Sequence, residues 1–139
     1  MLGREIDDPD HLESSAGHAD GLGLLPVRTV LRSPKVTRVV TASIEGGRQF
    51  TAYEIHMGRT EALEPVAPFA HLADGCPEGA RRDRVAGTYL HGIFEHAEVV
   101  RRTLGMDVPA IPAKSEMYDR LADWLVEHST PRVLEALLA

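Results

Sequence analysis

His91 closes the run Val85-Ala86-Gly87-Thr88-Tyr89-Leu90 and is followed at once by Gly92. An imidazole at the C-terminal end of a strand, with a flexible glycine after it, is placed to face a crevice of the kind in which α/β proteins bind ligands. In its neutral form it accepts a proton from a thiol or hydroxyl near pH 7, which is general-base chemistry. The plainer reading is a structural or solvated strand-end histidine, and spacing alone leaves both open. His56 lies in a second polar run, Tyr53-Glu54-Ile55-His56-Met57-Gly58-Arg59-Thr60. In extended backbone Tyr53, Ile55 and Met57 share one face, and Glu54 and His56 share the other, within hydrogen-bonding reach of each other. Gly58 then permits a sharp turn that returns Arg59 towards the pair. The same pattern also describes a half-buried strand with a solvated polar face. The single cysteine, Cys76, sits between Asp74 and Glu78 in a Gly/Pro turn. Nearby carboxylates disfavour a thiolate, so this residue reads as a loop thiol and a poor nucleophile. No His-x-x-His or Cys-x-x-Cys pair and no Walker-type phosphate loop is present, so no metal site is expected.

The elements that must carry these residues follow from periodicity and punctuation. Strands are predicted over Pro26 to Leu31, Val36 to Ile44 and Phe50 to His56, each rich in β-branched or aromatic residues, with Glu45-Gly46-Gly47-Arg48 as a hairpin turn between the last two. Val85 to Leu90 makes a fourth strand. Glu95 to Leu104 reads as a helix stopped by Gly105. Met117, Leu121, Trp124 and Leu125 define one face of a further helix. Thr130-Pro131 opens a last one carrying Val133, Leu134, Leu137 and Leu138. Met1 to Ile6 reads as the end of a helix, with Leu2 and Ile6 four apart and Asp7-Asp8-Pro9-Asp10 breaking it, and so abrupt a beginning predicts a natural domain that extends further N-terminally. Residues 7 to 23 are polar and Gly-rich and are expected to form a mobile surface connection. The class is mixed α/β.

Composition narrows the function. The 139 residues suffice for one ordinary domain, and 43% hydrophobic with 26% charged residues is a globular balance. A net charge of −6 disfavours a nucleic-acid partner, which needs clustered Lys and Arg. No run of roughly 18 apolar residues offers a membrane-spanning helix. One cysteine excludes an internal disulfide framework and suits a cytoplasmic protein.

Three strings, taken in order, carry a resemblance: Gly21-Leu22-Gly23-Leu24-Leu25-Pro26, Tyr53-Glu54-Ile55-His56-Met57-Gly58-Arg59-Thr60, and Gly87-Thr88-Tyr89-Leu90-His91-Gly92-Ile93-Phe94. Together they resemble the C-terminal glutamine-amidotransferase-like domain of the cobyric acid synthases (CobQ), and Met1-Leu2-Gly3-Arg4-Glu5-Ile6 looks like that family's helix just after its nucleophile. The resemblance spans essentially all of residues 1–139. It implies a class-I glutamine-amidotransferase domain, flavodoxin-like and three-layered, here lacking its first strands and nucleophile elbow. It also implies a Cys–His glutaminase in which a thiolate attacks the glutamine amide and a histidine passes its proton to departing ammonia. By motif match that histidine is His91, while Tyr53, Glu54 and His56 fall at a glutamine-binding position. The nucleophilic cysteine is expected just before Met1, and Cys76 does not inherit its role. The acid that orients the histidine in wider class-I enzymes would stand at Ile93, so Glu54 and Glu95 are the candidates instead. In the whole enzyme a separate N-terminal synthetase domain uses ATP and Mg to amidate carboxylates of adenosylcobyrinic acid a,c-diamide, so this chain should be inactive alone and hold no cofactor. A glutaminase subunit of the lipid II amidation type shares the His-x-Gly-Arg and Leu-His-Gly pieces. A non-catalytic interaction domain using an exposed sheet edge is the rival from another class.

Overall fold

A long antiparallel ladder, β3 (Val27–Ser43) against β4 (Gln49–Ala62), organises the sheet. The computed structural model describes residues 1–109, 112 and 114–138, apart from the side chains at 134, 135, 137 and 138. The hairpin closes at the predicted glycines: Gly46 takes φ 68° and the Gly47 N–H donates to the Ile44 carbonyl at 2.8 Å. The two strands predicted on either side of Ser33-Pro34 are one strand. The interruption survives only as a register irregularity between Leu31 and Val36, where Pro34 has no N–H to give to the ladder. The strand predicted over Phe50 to His56 runs on to Ala62. Gly58 is therefore not a turn. It pairs with Leu31, and a Cβ there would stand 2.6 Å from Thr29 Cγ2, so the glycine serves close packing while Arg59 continues opposite Val30.

The N-terminal segment also differs from the prediction. Glu5–Asp7 is a strand, β1, parallel to β3 and antiparallel to β2 (His18–Asp20). Met1 to Arg4 is held against Gly21 to Val27: the Leu24 and Leu25 N–H groups both donate to the Leu2 carbonyl at 2.9 Å, and the Arg4 N–H donates to Val27 at 2.8 Å. One apolar pair four residues apart does not nucleate a helix, and the waiting ladder of β3 decides the conformation. The backbones cross so closely that a Cβ on Gly21 would stand 2.0 Å from the Gly3 carbonyl. Residues 7 to 23, expected as a surface connection, carry regular structure. Besides β2, the buried Asp8 carboxylate accepts the N–H groups of Leu12 (2.7 Å), Glu13 (2.8 Å) and Ser14 (2.9 Å).

β5 (Ala70–Leu72) pairs with the far end of β3 and with β6 (Pro77–Glu78), while β7 (Ala80–Arg82) and β8 (Val85–Gly87) form a separate two-stranded sheet. β9 (Leu90–His91) then joins β4, completing the order β2-β1-β3-β4-β9. The single strand predicted from Val85 to Leu90 is thus two, because the chain changes partner at Thr88-Tyr89. A 3₁₀ turn, Ile93–Glu95, leads into α1 (Ala97–Leu104), which ends at Gly105 as predicted, with φ 66° and its N–H on the Arg101 carbonyl. The main core gathers Ala42, Ile44, Phe50, Ala52, Phe69, Leu90, Ile93 and Val99. The result is a mixed sheet with helices, of α/β class.

Met1–Asp107 and Val108–Ala139 are separate compact units. The second contains α2 (Lys114–His128) and α3 (Pro131–Leu138). In α2 the predicted residues Met117, Leu121, Trp124 and Leu125 are all exposed. The side chains of Leu134, Leu137 and Leu138 lie outside the described residues. No described helix is long and apolar enough to cross a membrane.

Candidate functional site

His91 is the last residue of β9 and pairs with Tyr53 of β4, so the two side chains share a face of the ladder. The face is open: Tyr53 and His91 are both exposed. The His91 Nε2 approaches the Ile55 carbonyl at 3.4 Å, a long contact that leaves the ring lightly held. Immediately after it Gly92 takes φ 80°, a left-handed conformation that a side chain would strain, and the chain turns there into the 3₁₀ turn. His91 opens on a cavity of about 650 Å³ whose lining includes Leu2, Phe69, Thr88, Phe94 and Glu95.

Glu54 and His56 fall on the opposite face from Tyr53, as alternation requires, and the predicted hydrogen bond between them is present. His56 Nε2 lies 2.9 Å from Glu54 Oε1, and Arg38 Nε donates to Glu54 Oε2 at 2.6 Å. Burial alone would raise the Glu54 carboxyl, but the bonds from Arg38 and His56 outweigh it and hold it below the usual carboxylate range. His56 Nδ1 faces the Gly58 carbonyl at 2.6 Å, and the ring stacks on Tyr89 with centroids 4.5 Å apart. Both ring nitrogens are turned to oxygen acceptors, so neither offers a free lone pair to a substrate. Glu54, His56 and Tyr89 line a second cavity of about 540 Å³, which does not include His91. The structure therefore pairs Tyr53 with His91, sets Glu95 on the wall of the same cavity, and directs Glu54 and His56 elsewhere.

Cys76 is exposed, and its backbone N–H donates to Asp74 Oδ1 at 2.9 Å. The Asp74 carboxylate beside it pushes the thiol up, away from thiolate chemistry. Among the described residues no three His, Cys, Asp or Glu side chains are grouped to hold a metal ion.

Two residues without a role in the sequence reading prove central to the architecture, Glu78 and Thr88. Glu78 is only 7% exposed. Its carboxylate accepts the Thr88 hydroxyl at 2.6 Å and the Tyr89 N–H at 2.8 Å. Burial pushes its carboxyl up; those two bonds oppose the rise, and the charge of Glu54 adds to it. The only sequence cue was a carboxylate between Pro77 and Gly79, indistinguishable from ordinary turn chemistry. Tyr89 is fixed in turn by its hydroxyl, 2.6 Å from Thr60 Oγ1, which lies 2.7 Å from Thr29 Oγ1.

A mixed sheet with helices, ending a short strand on a histidine over an open cavity, is consistent with a glutamine amidotransferase-like domain. Residues 1–99 match the CobB/CobQ-like glutamine amidotransferase domain, and the chain belongs to that family. Its curated relatives include the cobyric acid synthases of Bacteroides fragilis, 41% identical over 142 residues, and Bradyrhizobium diazoefficiens, 42% identical over 137 residues, each covering 92% of this chain. That of Methylobacterium nodulans is 39% identical over 150 residues and covers all of it. The chain spans 28 to 30% of the length of these relatives.

Proposed function

We propose that this chain supplies the histidine side of a Cys–His glutaminase that feeds ammonia to cobyric acid synthesis, with His91 as its base. The observation that carries the reading is that Leu2 and His91 line one cavity. In the resemblance the nucleophile immediately precedes the Met-Leu-Gly segment, which sets it two residues in sequence from Leu2 on the wall of the cavity that His91 opens on. The thiolate adds to the glutamine amide carbon, the C–N bond breaks, and His91 passes the proton to departing ammonia. Water then hydrolyses the glutamyl thioester to glutamate and frees the thiol. Tyr53, across the strand pair from His91, borders the glutamine site, and Glu95, on the wall of the same cavity, is the acid that would orient the imidazole. Glu54 and His56 shape the sheet behind it.

The three-layer, flavodoxin-like architecture belongs to the same proposal, since among the described residues only β1 and β3 run parallel. So do a cytoplasmic location, glutamine as ligand, and an N-terminal synthetase domain as partner. That domain consumes the ammonia with ATP and Mg to amidate carboxylates of adenosylcobyrinic acid a,c-diamide. No described cluster in this chain fits Mg, so no step is routed through its residues. The relatives' names favour this substrate over lipid II and favour catalysis over a purely interacting domain.

The test is a chimera in which this chain replaces the matching segment of the Bacteroides fragilis enzyme. Glutamine-dependent amidation is expected, and His91→Ala should lower it by about 10²–10⁴-fold while ammonium-dependent amidation survives. His56→Ala should cost less, through the shape of the sheet, and His71→Ala, exposed on β5, should cost little. Near-normal glutamine use by His91→Ala would remove His91 from the mechanism.

A further inference from the structure

The chain changes sheets just before His91. Gly87 is the last residue paired with β7, and Leu90 is the first paired with β4. A backbone that leaves one ladder before joining another carries N–H groups that no strand satisfies. Here these belong to Tyr89 and Leu90, and they are met from the side. The Tyr89 N–H donates to Glu78 Oε1 at 2.8 Å, and the Leu90 N–H donates to Thr88 Oγ1 at 3.0 Å. The Thr88 hydroxyl in turn donates to Glu78 Oε2 at 2.6 Å. The two donors meet separate oxygens of one carboxylate, so a single side chain holds both residues of the crossing.

The bracket has little slack. The Phe69 N–H donates to the Glu78 carbonyl at 3.0 Å, which fixes β6 to the core. A Cβ on Gly79 would stand 2.4 Å from the Gly87 carbonyl, so β6 leaves backbone to backbone against the end of β8. Thr88 and Leu90 line the same cavity as His91, so the held segment is part of its wall. We infer that Glu78 is a positioning residue for His91: by gripping Thr88 and Tyr89 it sets where β9 begins and the direction in which the imidazole enters the cavity shared with Leu2. The inference rests on the reading of His91 as the glutaminase base.

Two measurements test it. The first uses the full chain, isotopically labelled, and reads amide exchange and the histidine ring resonances by NMR. Glu78→Ala removes both acceptors, so the Tyr89 and Leu90 amides should exchange about tenfold faster and the His91 ring signals should move. The Val40 and Ala52 amides of the β3–β4 ladder should keep their protection, separating this from unfolding. Glu78→Gln, which keeps one oxygen, should recover the Tyr89 amide. Should Glu78→Ala not fold, Thr88→Val gives the corresponding readout at Leu90. The second uses the chimera. Glu78→Ala should lower kcat for glutamine use by about 10²-fold, the scale of a misplaced reacting group, with little change in KM or in ammonium use, and Glu78→Gln should restore part of kcat. Unaltered exchange at Tyr89 and Leu90 with an unmoved His91 ring would overturn the inference. So would unchanged kcat in a chimera that His91→Ala inactivates. If His91→Ala is itself silent, the proposed function falls, and the exchange and ring signals alone decide the role of Glu78.

Discussion

Glu54 and Glu78 are both buried, yet their surroundings push them in opposite directions. Glu54 has a guanidinium and an imidazole on its two oxygens, and its carboxyl is held below the ordinary 4.5. Glu78 has only neutral donors and lies in the field of Glu54, and burial leaves it above 4.5. The two acids therefore contribute to acid stability with opposite signs. Glu54 binds its proton less tightly folded than unfolded, so its contribution is present above 4.5 and is lost as pH falls through its lowered folded value. Glu78 binds its proton more tightly folded, so stability is lost as pH rises from 4.5 through its raised folded value. Urea midpoints of single variants from neutrality to about pH 3 check both. Glu54→Gln should flatten the loss on the acid side, and Glu78→Gln should remove the loss on the way up. A Glu54→Gln profile as steep as that of the parent would mean that the Arg38 and His56 contacts do not favour the ionised form.

At the scale of elements, packing decided what local pattern left open. Gly58 shows how. Local rules make a glycine after Met57 a turn, whereas the register sets it against Leu31, with Thr29 Cγ2 where its Cβ would be. Gly58→Ala should therefore destabilise by about 1–3 kcal/mol through overpacking. In a thermal melt Thr29→Ser, which deletes that methyl but keeps the hydroxyl bonded to Thr60, should recover part of the loss in the double variant. A Gly58→Ala melt equal to the parent's would mean the strands separate freely there. The same reasoning explains what was legible. The β3–β4 turn and the Gly105 stop could be read because each depends on glycines adopting positive φ within a few residues. The polar pair Glu54–His56 could be read because strand alternation is local. β1 could not, since its conformation is imposed by β3, more than twenty residues away in sequence. Nor could the break at Thr88-Tyr89, because the carboxylate that permits it arrives from another strand. His91 does end a strand and line a cavity, but nothing local in the sequence indicates that Glu54 and His56 face away from it.

At the scale of the whole molecule, the match to the amidotransferase domain falls within the unit Met1–Asp107, which holds His91, its cavity and both core clusters. The proposed reaction needs a thiolate and a base in one cavity. Among the described residues the cavity at His91 is lined by no thiol. Cys76, the single cysteine of the chain, stands on an exposed turn beside Asp74, whose carboxylate opposes thiolate formation. A histidine acting on water alone lacks the covalent route, and when nucleophile and base work as one unit the loss of either costs nearly the whole acceleration. The 139-residue chain should therefore release no glutamate from glutamine beyond a heat-inactivated control, and Cys76→Ser should change nothing. Iodoacetamide should label Cys76 more slowly than free glutathione at neutral pH, because the thiolate is the reacting species. Glutamate release that disappears in Cys76→Ser, together with fast labelling, would make Cys76 the nucleophile and require the β5–β6 turn to reach His91.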